Sequence, residues 1–410
     1  MMLAAGAVDG RPQPAERSDA VARFERLLSA QGQELLGWLN RQGDAFGPDG
    51  ELRVSAELRT RYPADLVTAA LAQHELRSLG RVKFARAAGM FFTRAGLEQA
   101  SSELVARHRA GRYAGCGRVA DLCCGIGGDL IALAAGHDVL AVDRDPLHLR
   151  MARANAGVHG VAGGLTTIEA DVRDIDLAGI QAVFADPARR ADRGRLRTGS
   201  SEPPLGWCLS LVDRVAPVAI KAAPGLAHEA VPAGWELEFV AMGRELKEAV
   251  AWSPALATTA RRATILPDGH SLIQGQARVE AVQVRAPGEF LFDPNPAVTR
   301  AGLVKELALM IGAWQIDDRI AFLSAGAPVE TPFARTLRVI DSAPWDQKRL
   351  PARLRALDIG AVDIRRRGLA GDAGRLHRQL KLSGTRRATL VMTRVSDRPW
   401  GLVCLDVHRP

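Results

Sequence analysis

The chain has 410 residues, with 54 Lys+Arg against 46 Asp+Glu and a formal net charge of +8. Hydrophobic residues make up 47% and charged residues 24%, which excludes a disordered polyelectrolyte and allows two to four domains at roughly 100–200 residues each. Aromatic residues are only 5%, which argues against a protein built on base-stacking platforms, while an Arg-heavy basic balance suits a polyanionic partner such as nucleic acid or reflects Arg-rich codon usage.

The first 17 residues, rich in Gly, Pro and Ala, read as a flexible tail and lack the order of a secretory signal. Residues 18–92 read as a helical N-terminal region. Val21, Phe24, Leu27 and Leu28 fall at helical spacing, as do Leu35, Leu36 and Leu39. Pro48 and Gly50 mark a break, and Pro63 opens a helix over Ala64–Leu79. The apolar stretch ending Met90-Phe91-Phe92-Thr93 leads into a helical run over Arg94–Ala110.

From Arg118 onward short β-like runs alternate with helical ones. The runs are Val119–Cys123, Val139–Val142, Thr166–Ala170, Ala182–Ala185 and Val218–Lys221, separated by helix-compatible Asp129–Ala135, Pro146–Gly157 and Pro203–Val215. This alternation predicts βαβ units and a parallel sheet with helices on its faces. Leu237–Met242 and Ala249–Trp252 read as an antiparallel hairpin, and strand-like runs flank the turn Pro267–Gly269. A helix is expected over Pro296–Gly312. Helical Leu350–Leu357 and Ala373–Leu382 then mix with strand-like Val362–Arg366, Ala388–Thr393 and Trp400–Asp406, a small α+β module from about Phe333.

The most informative segment is Asp121-Leu-Cys-Cys-Gly-Ile-Gly-Gly, where a strand enters a glycine turn that opens a helix. Glycines there permit positive φ and let a ligand approach the backbone. The spelling departs from GxGxxG, because Leu130 stands where the third glycine falls. Acids close four successive strands: Asp121, Asp143, Asp171 and Asp186. Asp143 lies 18 positions after Gly125, close to the ~20 of an acid that accepts ribose hydroxyls. Acids in register at the carboxyl ends of parallel strands mark the ligand crevice of an open α/β sheet.

Asp121–Gly128, Ala141–Pro146, Glu169–Asp171 and Asp186–Arg189 resemble motifs I to IV of class I S-adenosylmethionine-dependent methyltransferases. The glycine turn is similar to that of the trimethylguanosine synthase-like RNA methyltransferase branch, as is the upstream Met90–Ala100. The tail, Ile364–Leu369 through Ala388–Arg394, resembles a THUMP-like domain. The resemblance implies an α/β fold: a Rossmann-like class I methyltransferase sheet with a helical N-terminal region and a small α+β C-terminal domain. It divides the chain into a methyltransferase domain over 93–260, a connecting α/β segment over 261–332 and a THUMP-like domain over 333–410. It implies that Asp121 orients the methionine amine above Gly125 and Gly127, that Asp143 holds the ribose, Asp171 the adenine, and that Thr93 contacts the methionine end. Asp186 and Pro187 would face the acceptor, a base in RNA. Motif IV departs from the Asp/Asn-Pro-Pro-aromatic pattern, since Ala188 and Arg189 replace the second Pro and the ring. Arg189 is assigned to stack on a base or bind phosphate, with a surface Arg in an Arg-rich loop as the alternative.

Cys116, Cys123, Cys124, Cys208 and Cys404 form no CxxC pair, so a reducing cytoplasm is expected and neither a disulfide framework nor a zinc ribbon. Cys123 and Cys124 are read as packing residues rather than nucleophiles. The nine histidines form no HxxxH or HExxH pattern, so no metal is expected. No apolar run approaches the roughly 18 residues of a membrane span. Arg365, Arg366, Arg367, Arg375, His377, Arg378, Lys381, Arg386 and Arg387 give the tail a basic cluster suited to phosphate contacts. A NAD-dependent oxidoreductase and a non-catalytic RNA-binding protein with a relict cofactor pocket stand as the alternative functions.

Overall fold

A computed structural model describes residues 14–43, 48–192, 195–275, 282–380 and 382–407. The chain divides into two compact units, one ending at Lys221 and one beginning at Ala222. The first opens with α1 (Pro14–Leu28), α2 (Ala30–Gln42), α3 (Pro48–Leu58) and α4 (Ala64–Gly80). Helix α1 thus starts inside the segment read as a tail, whose first 13 residues lie outside the described ones. Phe24, Leu35, Leu36, Leu39 and Val67 from these helices share one core with Met90, Phe91, Phe92 and Ile126. The apolar faces of the N-terminal helices therefore close over the glycine turn.

The single helical run expected over Arg94–Ala110 is two helices, α5 (Arg94–Gln99) and α6 (Glu103–Gly111). Lys83 Nζ terminates the first by donating to the carbonyls of Leu97, Glu98 and Ala100 at 2.6, 2.8 and 2.8 Å. The break frees Ser101, whose hydroxyl donates to Asp129 at 2.9 Å.

The sheet of this unit then follows: β1 (Val119–Leu122), α7 (Gly128–Ala134), β2 (Val139–Asp143), α8 (Pro146–His159), β3 (Leu165–Glu169) and β4 (Ala182–Ala185). Next come β5 (Ala188–Asp192), β6 (Arg195–Glu202), α9 (Leu205–Ser210) and β7 (Val218–Ala222). Strands β7, β4, β1, β2 and β3 lie side by side in that order, every pair parallel. The expected five parallel strands and their helices are all present. This is a Rossmann-like α/β fold, and β1 and β4 are buried along their whole length. Parallel strands buried on both faces demand the unbroken apolar runs that the sequence supplies. The Arg-rich segment expected as a loop is instead the antiparallel hairpin β5–β6.

The second unit begins with β8 (Glu236–Met242), β9 (Glu245–Trp252), β10 (Arg261–Leu266) and β11 (His270–Ile273). Strand β8 runs antiparallel to β9 and parallel to β10. Then come β12 (Phe290–Pro294), α10 (Pro296–Ala301), α11 (Val304–Ile311), β13 (Trp314–Gln315), β14 (Leu323–Ala325) and β15 (Ala334–Pro344). The unit ends with α12 (Leu350–Ala356), β16 (Ile359–Arg366), α13 (Ala373–Gln379), β17 (Arg386–Val395) and β18 (Arg398–Asp406). The helix expected over Pro296–Gly312 is interrupted by Gly302 at φ +71°, which caps α10 with its N–H on Thr299 and Val298 carbonyls. A seven-stranded sheet runs β13-β14-β12-β15-β18-β17-β16. The C-terminal sheet therefore recruits β12, β13 and β14 from residues upstream of 333. Leu350, Leu354, Leu376 and Leu380 pack on its Leu390, Met392 and Val403. Asn295 caps α10 by accepting from the Ala297 N–H at 3.0 Å, and Asp293 is buried in β12 and bound by Arg244 at 2.8 Å and Arg367 at 3.1 Å.

One side chain ties the helical cover to the glycine turn. Asn155 of α8 is fully buried. Its amide donates to the carbonyls of Phe91 at 3.0 Å and Ile126 at 2.9 Å, and its oxygen accepts from the Phe91 N–H at 2.7 Å. Asn155→Ala strands these buried groups and should cost about 2–4 kcal/mol of folding free energy, read from urea unfolding of the purified protein.

Candidate active site

The site forms where β1 meets the turn before α7. Cys123 at φ +64°, Gly125 at +54° and Gly127 at +89° all adopt the left-handed region, which side chains rarely tolerate. A Cβ at Gly127 would lie 3.1 Å from the Ala152 Cα, whereas one at Gly125 would meet nothing within 4 Å. The turn is thus pressed against α8 on one side and open on the other. Leu130, in place of a third fingerprint glycine, is fully buried in α7.

Asp143, at the end of β2, holds the turn in shape. Its Oδ2 accepts from the Gly125 N–H at 2.8 Å and its Oδ1 from the Asp145 N–H at 2.9 Å. Asp145 in turn caps α8 by accepting from the Leu147 N–H at 2.9 Å. Each Asp143 oxygen retains a lone pair for a ligand hydroxyl.

Asp121 ends up fully buried, and neither carboxylate oxygen has a hydrogen-bond partner among the described residues. Burial pushes its carboxyl well above the usual carboxylate range, and the fields of Asp129, Asp186 and Asp143 push it further. A buried unpartnered acid is costly, so its retention points to a missing cation. Asp129 is also buried but satisfied. It forms an ion pair with buried Arg109, and Arg109 also donates to Ser101 at 2.7 Å.

Asp186, directly after β4, is held by Lys221 of β7, whose Nζ lies 2.6 Å from Oδ2. Burial raises its carboxyl and the Lys221 ammonium opposes that rise. Pro187 beside it is buried. The backbone of Arg189 belongs to β5, and its side chain lies outside the described residues.

Asp171 and Thr93 are already engaged. Arg173 donates to Asp171 through Nε at 2.9 Å and Nη2 at 2.6 Å, and this bonding holds the Asp171 carboxyl down at about 2. Thr93 caps α5 by accepting from the Gly96 N–H at 2.9 Å, with His148 Nε2 at 3.4 Å. Burial raises the thiols of Cys123 and Cys124 far above their ordinary range, which suits packing rather than nucleophilic attack.

The fold thus brings together Asp121, Asp143, Asp186, Gly125 and Gly127. Sequence reasoning missed Lys221, Arg109 and Asn155. Lys221 carried a signal in retrospect: it is one of only six lysines and it closes a strand beside an acid-ended one.

The site fits S-adenosylmethionine. Asp121 offers an unpartnered carboxylate, and the fields acting on it come from three more acids opposed by Arg109. That negative environment complements a ligand carrying an ammonium and a sulfonium.

Comparison with known proteins agrees. Residues 116–198 match the family described as RNA cap guanine-N2 methyltransferase, residues 334–405 match the THUMP domain-like family, and residues 19–79 match a domain of unknown function. An uncharacterized S-adenosylmethionine-dependent methyltransferase, present in two strains of Mycobacterium tuberculosis, is 37% identical over 334 residues, covering 78% of this chain and 88% of the relative. A crystal structure of a proposed methyltransferase from Porphyromonas gingivalis aligns over 89% of this chain and 100% of its own at 19% identity, with a TM-score of 0.72, and so shares the fold. The chain belongs to the S-adenosylmethionine-dependent methyltransferases. Its cofactor is S-adenosylmethionine, and the nicotinamide alternative falls away.

The raised Asp121 carboxyl makes a testable linkage. The folded apo protein keeps a proton there that the unfolded chain has released above 3.8. Stability is therefore lost as pH rises from the unfolded value toward the folded one. Asp121→Asn should stabilise the apo protein at pH 8 by about 1–3 kcal/mol, with the gain shrinking toward pH 4. The same change should weaken S-adenosylhomocysteine binding at least about tenfold, measured by calorimetry.

Proposed function

We propose that this methyltransferase acts on a base in RNA. One observation carries the reading: a methyl-transfer centre matched by the RNA cap guanine-N2 methyltransferase family shares its chain with a THUMP domain-like module. The basic cluster of that module supports it. Arg365, Arg366, Arg375, His377, Arg378, Arg386 and Arg387 are exposed, as phosphate contacts require. Arg367 is instead half-buried on Asp293 and the Phe322 ring, and Lys381 lies outside the described residues.

The proposed roles follow from the side chains. Bound S-adenosylmethionine supplies an electrophilic methyl carbon on a sulfonium. Asp121 accepts the methionine ammonium, Asp143 accepts ribose hydroxyls while bracing the turn, and Gly125 leaves room for close approach. Asp171 receives the adenine edge through the lone pairs that Arg173 leaves free, and Thr93 lines the methionine end. Asp186 accepts a hydrogen bond from an acceptor N–H and aims the nitrogen lone pair at the methyl carbon. On gaining the methyl group that nitrogen would release its N–H proton, and Asp186 is the group placed to take it. Positioning of the two reactants supplies most of the acceleration. Pro187 stiffens the strand end that carries Asp186, and Arg189 is assigned to the RNA. Cytoplasmic residence suits such a substrate. By domain, 93–260 transfers the methyl group, 333–410 presents RNA, and 18–92 covers the cofactor, with 261–332 connecting.

Purified protein incubated with tritiated S-adenosylmethionine and total RNA from a strain lacking the gene should label that RNA, and nucleoside mass spectrometry should place the methyl on one base. Asp186→Ala should lower incorporation by about 10²-fold or more. Cofactor binding without label in RNA would refute the RNA assignment.

A further inference from the structure

The Asp186–Lys221 pair joins the ends of two neighbouring parallel strands. Strands β4 and β7 pair in register from Val183↔Val218 to Ala185↔Ile220. The next residue on each strand is Asp186 and Lys221, so register alone sets the two side chains beside each other. Lys221 Nζ sits 2.6 Å from Asp186 Oδ2, with the lysine side chain 10% and the aspartate side chain 28% exposed. The other oxygen, Oδ1, is not taken by this contact. The ammonium thus engages one oxygen from the protein side, and a carboxylate bound in this way presents its second oxygen for a further partner.

The charges facing Asp186 explain why it needs that ammonium. Asp129 of α7 acts against its ionisation, and Arg109 of α6 acts for it. Asp121 of β1 is a further acid whose field is coupled to it. Arg109 is already committed to Asp129 and Ser101. Among the described residues, Lys221 is the cation in direct contact. A carboxyl crowded by two other acids, and partly removed from water, holds its proton at neutral pH unless a cation sits against it. Once protonated, it would present one donor where the acceptor N–H needs an acceptor.

We infer that Lys221 is a positioning residue of methyl transfer, which fixes Asp186 in one rotamer as a carboxylate and turns Oδ1 toward the acceptor. This rests on the proposed role of Asp186 at the acceptor. It also accounts for the departures in motif IV. With Ala188 where the second Pro is expected, and no ring after it, the strand end lacks the rigid apolar frame that would otherwise align the acceptor. An ion pair between adjacent strands supplies alignment by charge instead. Lysine suits this task better than arginine, since its ammonium is a compact point charge that leaves the carboxylate one free oxygen, whereas a guanidinium takes both in a fork.

The test uses full-length protein with ¹³C-carboxyl-labelled aspartate. The Asp186 resonance is assigned with Asp186→Asn and titrated by NMR. In Lys221→Met its midpoint should move up by about one pH unit or more, and Lys221→Arg should bring it back near the wild-type value. Affinity for S-adenosylhomocysteine should stay within about threefold, because the proposed cofactor contacts are Asp121, Asp143 and the glycine turn rather than Lys221. On total RNA, the acid limb of the methyl-transfer rate should move to higher pH in Lys221→Met and return in Lys221→Arg. An Asp186 midpoint unchanged in Lys221→Met overturns the inference. Lys221→Gln serves the same comparison where Lys221→Met does not fold. Wild-type protein that leaves RNA unlabelled would defeat the RNA assignment alone, since the NMR titration decides the role of Lys221 without an acceptor.

Discussion

A buried carboxyl with no hydrogen-bond partner among the described residues organises this protein. Asp121 sits at the end of the central strand of five, beneath the glycine turn and behind helices that exclude water. A protein interior tolerates such a group as the neutral acid, or as a carboxylate once a cation completes it. The neighbours follow from that constraint. Arg109 neutralises Asp129 instead of Asp121, which keeps the negative potential directed at the pocket. Asp143 spends one lone pair per oxygen on backbone N–H groups, and so the turn is rigid before any ligand arrives. Preorganisation of this kind lowers the cost of binding.

The helical N-terminal region acts as more than an appendage. Its core residues are continuous with Met90, Phe91 and Phe92 and with Ile126 of the turn. Gln73 brackets the Phe92 peptide, donating to its carbonyl at 2.7 Å and accepting from its N–H at 2.9 Å. Arg77 donates to the Met90 carbonyl at 2.7 Å and lies 4.9 Å above the Phe91 ring. Together with Asn155, these bonds satisfy an extended segment that has no strand partner. Irregular backbone can be buried beside a cofactor site only when side chains supply the missing hydrogen bonds.

The second unit solves a different problem with the same means. Glu236 and Glu238 of β8 are fully buried. Arg262 pairs with the first at 2.7 Å, and Trp252 Nε1 donates to the second at 2.9 Å. Asp293 is held between Arg244 and Arg367. These three buried acids each have a cation or donor, whereas both oxygens of Asp121 lack a hydrogen-bond partner among the described residues.

Much of this was legible in the sequence. Unbroken apolar runs ending in acids announced the five parallel strands, and the Gly125–Gly128 turn and Asp143 are indeed in contact, because local periodicity and turn chemistry act over a few residues. Other features were hidden. The breaks at Ala100–Ser102 and Gly302 depend on a distant lysine and on a cap. The β5–β6 hairpin lies in a polar, Arg-rich segment without alternation. Strands β12 to β14 joined the C-terminal sheet although nothing near them announced their partner. Asn155 and Lys221 looked like ordinary helix and strand residues. The chain by itself determined which residues could bear the chemistry, since residue type and spacing set charge and turn geometry. Only the tertiary structure decided which acids would be satisfied and which left open, because that depends on cations brought from remote parts of the chain by strand register and helix packing.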